Sequence, residues 1–291
     1  MKKNQSKLAF SLIELSVVIL IIGILVISIS KGSRIIREAK LKSAQTLTTS
    51  SPVNGISGLM FWLEPSLSKS FNSAEAVNGS LVTNWNNISP FTNDLTSVSG
   101  SGGTRPTYTN AGINNLPTVR FDGGDSLTMT PLPQTYSGTG LHAFVVARRK
   151  QLVGETSTLV LDRNSGSHDY DNTESVVIAY ESGGVLATYR TVALSSSPTY
   201  PGNNVSYIFS SSFDGTKNTL YLNGQAQTPV ASTGNFGIRR IILGARYVSG
   251  GLTSFYNGDI SEVIIFDRAL SNSERKSVEQ YLSQKYGIKI S

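Results

Sequence analysis

The chain has no cysteine among its 291 residues. That excludes disulfide staples, thiol nucleophiles and thiolate metal sites, so any folded domain must be held by its apolar core. Histidine is nearly as scarce. His142 and His168 are too few for a multi-histidine metal centre, and neither has an evident serine and carboxylate relay around it. Excess charge of one sign is missing from most of the chain as well. The formal net charge is +6, from 25 Lys and Arg against 19 Asp and Glu. Residues 1–57 hold eight of the bases against Glu14 and Glu38 alone, which leaves 58–291 with seventeen of each sign. A nucleic-acid partner needs a basic footprint, and this large C-terminal part has none.

What the chain does have is one long apolar run. Phe10 to Ile29 reads FSLIELSVVILIIGILVISI, with Glu14 as its single charged side chain. As a helix, at ~1.5 Å per residue, it spans about 30 Å, the thickness of a bilayer's hydrocarbon core. A lone carboxylate in such a segment is costly and points to function, its natural partner being a cation from elsewhere. Five bases follow the run closely and three precede it, so a count of Lys and Arg does not favour a cytoplasmic N-terminus.

Lys2, Lys3 and Lys7, then Leu8-Ala9, then FSLIELSVVILIIGIL resemble the N-terminal processing and methylation motif of type IV prepilins and type II secretion pseudopilins. The resemblance implies cleavage between Ala9 and Phe10, N-methylation of Phe10, and Glu14 as the fifth mature residue, meeting a neighbouring subunit's terminal amine during assembly. Ala9 departs from the Gly that the family prefers before the cut. The implied partners are a prepilin peptidase, other pilin or pseudopilin subunits and the membrane. The implied place is the bacterial cytoplasmic membrane, crossed once, with the C-terminal domain exported. Two plainer readings compete: a simple signal anchor, and a secretory signal peptide cut before Lys31 after Ser28 and Ser30.

The spacing predicts that this helix continues to Leu47, with Ile35, Ile36 and Ala39 set among Arg34, Arg37, Glu38 and Lys40. The expected organisation is a leader over 1–9, a transmembrane and assembly helix over 10–47, a polar linker with Pro52 and Gly55 over 48–57, and one domain over 58–291. In that domain short β-type runs alternate with Gly, Asn, Ser and Pro. They include LMFWLE (59–64), TVRFD (118–122), LHAFVVARR (141–149), SVVIAYE (175–181), VSYIFSSSF (205–213), RRIILGAR (239–246) and DISEVIIFD (259–267). Such a series predicts a mainly β, antiparallel sandwich or barrel. Asn223-Gly224 reads as a hairpin turn. Ser271 to Glu274 reads as a capping box, opening one C-terminal helix that buries Val278, Tyr281, Leu282 and Tyr286 and stops at Gly287.

Together GLMFWLEPS (58–66), VTNWNNIS (82–89), RPTYTNAGINNLPTVRFDGGDSL (105–127), LHAFVVARR (141–149), NTLYLNGQ (218–225) and above all NGDISEVIIFDRALSNSERKSVEQYLSQKYGI (257–288) resemble the LamG-like jelly-roll branch of the concanavalin A-like lectin/glucanase superfamily. Glu64-Pro65, Asn87 and Pro90 depart from its pattern. The resemblance implies a jelly-roll β-sandwich and leaves its ligand open among glycans and surface proteins.

Candidate chemistry is sparse. Asp169, Asp171 and Glu174 offer hard oxygen ligands for calcium, although their spacing is not that of a standard loop and a solvated acidic loop is the plainer reading. Asp169 and Asp171 have the alternate spacing that glycoside hydrolysis on one strand would need, on a stretch that reads as a loop. No catalytic residue and no required cofactor follow. Trp62 and Trp85 read as core, Asp259 and Glu262 as structural, and Arg148-Arg149-Lys150 as a solvated strand end. The expected function is a pilin-like envelope protein, a minor pilin or pseudopilin, whose jelly roll binds a glycan or protein in adhesion. The alternatives are a structural pseudopilin and a membrane-anchored glycan hydrolase.

Overall fold

The computed structural model describes residues 12–90, 97–100, 104–151, 154–169, 174–181, 185–190, 193–197 and 202–291. Helix α1, Leu12–Thr49, carries the apolar run and the basic stretch as one 38-residue helix. Ile13, Leu15 and Val17 to Ile22 are exposed, as are Ile35 and Ile36, whereas Ala44 and Thr48 near its end are buried. The helix therefore meets the rest of the protein through its last turns, where Gln45 Nε2 donates to the Ser66 carbonyl at 2.8 Å. Among the described residues no helix is long and apolar enough to cross a membrane. The run at 10–29 includes Phe10 and Ser11, which lie outside them.

The stretch over 48–57, polar enough to read as a linker, is held in place. Val53 has no exposed surface and Ile56 is buried, both in the apolar cluster beneath the C-terminal helix. Two apolar side chains with a surface to pack against outweigh the loop-like composition around them.

The body is a two-layer antiparallel sandwich. One sheet orders Gln225–Ala226, Lys217–Leu222, Ser206–Phe213, Leu141–Arg149, Asn257–Phe266, Thr118–Asp122 and Thr107–Thr109, with Leu59–Leu63 pairing the far half of Asn257–Phe266. The other orders Ala193–Ser196, Leu186–Arg190, Val176–Tyr180, Thr156–Asp162, Arg240–Leu243, Leu127–Met129, Ser97–Gly100 and Asn84–Asn86. Alternation along each strand decides what lies between them. Ala143, Val145 and Ala147 from the first sheet meet Leu159, Leu161, Ile178, Ile241 and Leu243 from the second, with Trp85 stacked on Phe71 at 5.8 Å.

The outer face of the first sheet is covered by helix α2, Asn272–Tyr286. Ser271 accepts from the Glu274 backbone N–H, the Glu274 side chain accepts from the Ser271 N–H, and Gly287 closes the helix at φ 63°. Val278, Tyr281, Leu282 and Tyr286 pack onto Trp62, Phe144, Val146, Ile264 and Phe266. The hairpin turn lies at Asn223 and Gly224, both at positive φ.

A β-bulge between Ile260 and Glu262 sets the chemistry of the long strand. Period-two alternation would put Ile260 and Glu262 on one face. With the extra residue, Ile260 points into the core, while Glu262 joins Ile264 and Phe266 on the face under α2.

Candidate functional site

The outer face of the second sheet divides into an apolar and a polar half. Strand registers place Val160, Ile242, Thr128, Ser99 and Asn84 in one row across five strands, all on the side away from the core. At the apolar end Val160, Val177, Ala179 and Ile242 are roofed by Tyr247, Leu252 and Phe255 from the hairpin Arg246–Val248 and Gly251–Thr253. At the other end the row turns polar. Thr128, Ser99 and Asn84 span about 10 Å at the usual strand spacing of ~4.8 Å. Ser99 Oγ donates to Asn84 Oδ1 at 2.6 Å.

Where the halves meet lies a cavity of about 280 Å³ lined by Thr128, Thr130, Arg240 and Tyr247 together with the apolar Ile242 and Leu252. The Arg240 guanidinium sits 3.5 Å from the Tyr247 ring centroid and is bidentate on Asp162, at 3.0 Å from Nε and 2.7 Å from Nη2 to Oδ2. Burial pushes the Asp162 carboxyl above the usual carboxylate range, and its bonds from Arg240 pull it back. The cavity offers two hydroxyls, one aromatic ring and an apolar wall of Ile242 and Leu252, with its charge already matched inside the site, and the row beyond it adds Ser99 and the Asn84 amide. It suits hydrogen bonding to a polar, uncharged ligand. A carboxylate locked on a guanidinium is poorly placed to shuttle protons.

Residues singled out from sequence fall in several places. Ala9, Phe10 and Asp171 lie outside the described residues, and Glu14 lies on α1 with its side chain outside them. Asp169 is fully buried rather than solvated. It accepts from Arg246 Nε and Nη2 at 2.6 and 2.7 Å and from the Tyr247 backbone N–H at 3.0 Å. Its work is to pin the hairpin that walls the cavity. Glu174 pairs instead with Arg163 at 2.8 Å. Among the described residues no group of three His, Asp or Glu is placed to hold a metal ion.

The ending that carries the jelly-roll resemblance encloses a second polar cluster. Lys285 Nζ, with no exposure, donates to Glu64 at 2.6 Å, Glu262 at 2.8 Å and Thr48 Oγ1 at 2.8 Å. Glu262 also accepts from Trp62 Nε1 at 2.7 Å and from the Tyr281 and Tyr286 hydroxyls, each at 2.8 Å. Burial holds Glu262 above the usual glutamate range against the pull of Lys285. The cluster joins α1, the strand Leu59–Leu63 with Glu64 after it, the long strand and α2, and it is closed to solvent, so it is structural. Trp62 and Trp85 are both core. Asp259 is paired with Arg120 at 2.8 Å and Arg148 at 2.5 Å. Arg149 is not a solvated strand end: it has no exposure and lies 4.4 Å from the Tyr180 ring centroid.

His142 is buried and stacked on Phe144 at 4.5 Å, with Ser210 Oγ 3.3 Å from Nε2. Burial drives its imidazole down to about 3, which leaves it neutral. Sequence reasoning missed the cavity residues altogether. No periodic signal marked them, since Leu127–Met129 beside Thr130 is three residues long, too short for a period of two to show.

No family model matches the chain, and no curated protein matches it. Among solved structures it is similar to Trypanosoma rangeli sialidase in complex with 2,3-difluoro-KDN, at 14% identity and TM-score 0.53, over 85% of this chain and 38% of that one. It is also similar to a mutant of the same sialidase displaying trans-sialidase activity, at 14% identity and TM-score 0.52, over 86% and 38% of the two chains. The chain thus spans well under half the length of these proteins, and the likeness is one of fold: an antiparallel β-sandwich.

Proposed function

We propose that this chain is a pilin-like protein of the bacterial cell envelope, a minor pilin or pseudopilin, whose exported sandwich binds glycans in adhesion or surface recognition. The observation that carries the reading is α1. Among the described residues of its first part Leu15 and Val17 to Ile22 are exposed, while Thr48 is clamped to Lys285 in the body. An apolar face this continuous needs lipid or other copies to cover it. The prepilin-like motif around Ala9, Phe10 and Glu14 supplies both, through a single membrane pass and then assembly. The polar trough from Asn84 to Thr128, ending at Tyr247, supports the binding role, and the matched Asp162–Arg240 pair favours binding over hydrolysis. No metal is needed in this reading.

Replacing Glu14 with Ala in the producing cell tests it. The reading expects the variant to reach the membrane and fail to enter filaments or pseudopili. Unchanged assembly of Glu14→Ala would overturn it.

A further inference from the structure

The trough has a charge signature that narrows its ligand. Among the described residues lining the cavity, Arg240 is the one ionised side chain, and its charge is cancelled at contact distance by Asp162, with Tyr247 stacked on the guanidinium. Thr128, Thr130, Ser99 and Asn84 extend the site with hydroxyls and an amide. Hydroxyl and amide groups can both donate and accept, as sugar hydroxyls do. A ligand carboxylate placed in the cavity would approach the Asp162 oxygens, and among the described lining residues it would find no unmatched cation to replace its lost hydration. A neutral sugar ring can lay an apolar face on Tyr247 while its hydroxyls meet the polar row.

We infer that this trough, if the binding reading holds, selects neutral oligosaccharides and discriminates against sialylated and uronic-acid glycans. The fold likeness to sialidases therefore does not carry their acidic ligand over to this chain. The inference rests on the proposed glycan-binding function and adds the ligand class and the residues that set it. The polar row is more than one strand spacing long, which fits a chain of sugars better than a single ring.

Calorimetric titration of the full-length protein in detergent tests this with three probes: a neutral β-glucan hexasaccharide, a hexagalacturonate and sialyllactose. The expected result is binding of the neutral hexasaccharide, with both acidic probes at least about tenfold weaker, a difference of ~1.4 kcal/mol. Tyr247→Ala is expected to weaken neutral binding by about tenfold or more. Thr130→Lys adds an unmatched cation at an exposed rim position with little risk to folding. It should raise affinity for hexagalacturonate about tenfold.

Tight binding of the acidic probes by the unaltered protein would overturn the ligand class and leave the glycan-binding reading standing. Neutral binding that ignores Tyr247→Ala, or hexagalacturonate binding that ignores Thr130→Lys, would overturn the location. No binding of any probe, with circular dichroism showing a folded sandwich, would overturn the glycan-binding reading itself and this inference with it.

Discussion

Lys285→Met removes the cation of the buried cluster while keeping most of its volume. Glu64 and Glu262 are then two carboxylates with no exposed surface, facing the space that Lys285 Nζ held at 2.6 and 2.8 Å from them. Breaking a buried pair from one side costs about 3–5 kcal/mol. A domain of this size loses roughly 2–4 °C of Tm per kcal/mol, so the expected drop is about 6–20 °C. The pH dependence gives an independent check. Burial already raises Glu262, and in the variant the opposing pull of Lys285 is gone. The folded state then holds a proton more tightly than the unfolded chain does. Stability from such a group is present at low pH and lost as pH rises through the folded value, so the deficit should be larger near pH 8 than near pH 5. Near-UV circular dichroism melts at the two pH values read both quantities. A Tm within about 2 °C of the parent at pH 8 would refute the claim that this lysine is the counter-charge of a closed site.

Other outcomes follow from the same packing. Ser271→Ala removes the cap hydrogen bond of α2 and should destabilise by about 1 kcal/mol in denaturant titration. Gly244→Ala is expected to cost more, roughly 2–4 kcal/mol, because its φ is +79° and a Cβ would lie 2.5 Å from Phe121 Cε1. His142, held down to about 3 by burial, should show no imidazole titration by NMR between pH 7 and about pH 4. Since the unfolded chain takes up that proton first, its contribution to stability falls as pH drops below about 6.5, and His142→Phe should flatten that part of the profile. Asp169→Asn leaves Arg246 with a weaker partner and should loosen the hairpin bearing Tyr247, seen as faster amide exchange at 246–253.

The strands with the strongest alternation were readable as they stand. TVRFD and LHAFVVARR match Thr118–Asp122 and Leu141–Arg149 at both ends, and the capping box of α2 was legible from four residues. Three-residue strands such as Asn84–Asn86 and Leu127–Met129 were not, because a period of two needs more than three residues to declare itself. RRIILGAR reads as one strand but breaks at Gly244, where positive φ and contact with Phe121 turn the chain into the roofing hairpin. The site shared that obscurity. Its residues come from four strands and a hairpin far apart in sequence, and each alone is an ordinary Thr, Asn, Tyr or Arg. Asp169 misled for a related reason: an acid in a Gly- and Asn-rich stretch reads as solvated until Arg246, 77 residues on, is known to face it. Glu262 was recognisable as structural. Its turn toward Lys285 depends on a bulge, and the sequence GDISEV does not announce which residue is extra.

The central claim is that a membrane-inserted, processed N-terminus carries this sandwich into an assembly outside the cytoplasm. Mass spectrometry of the N-terminal peptide from protein purified out of its own envelope tests that most directly. The account predicts a chain beginning at N-methylated Phe10, with residues 1–9 removed. A mature chain that begins at Met1 or at Lys31 would contradict it.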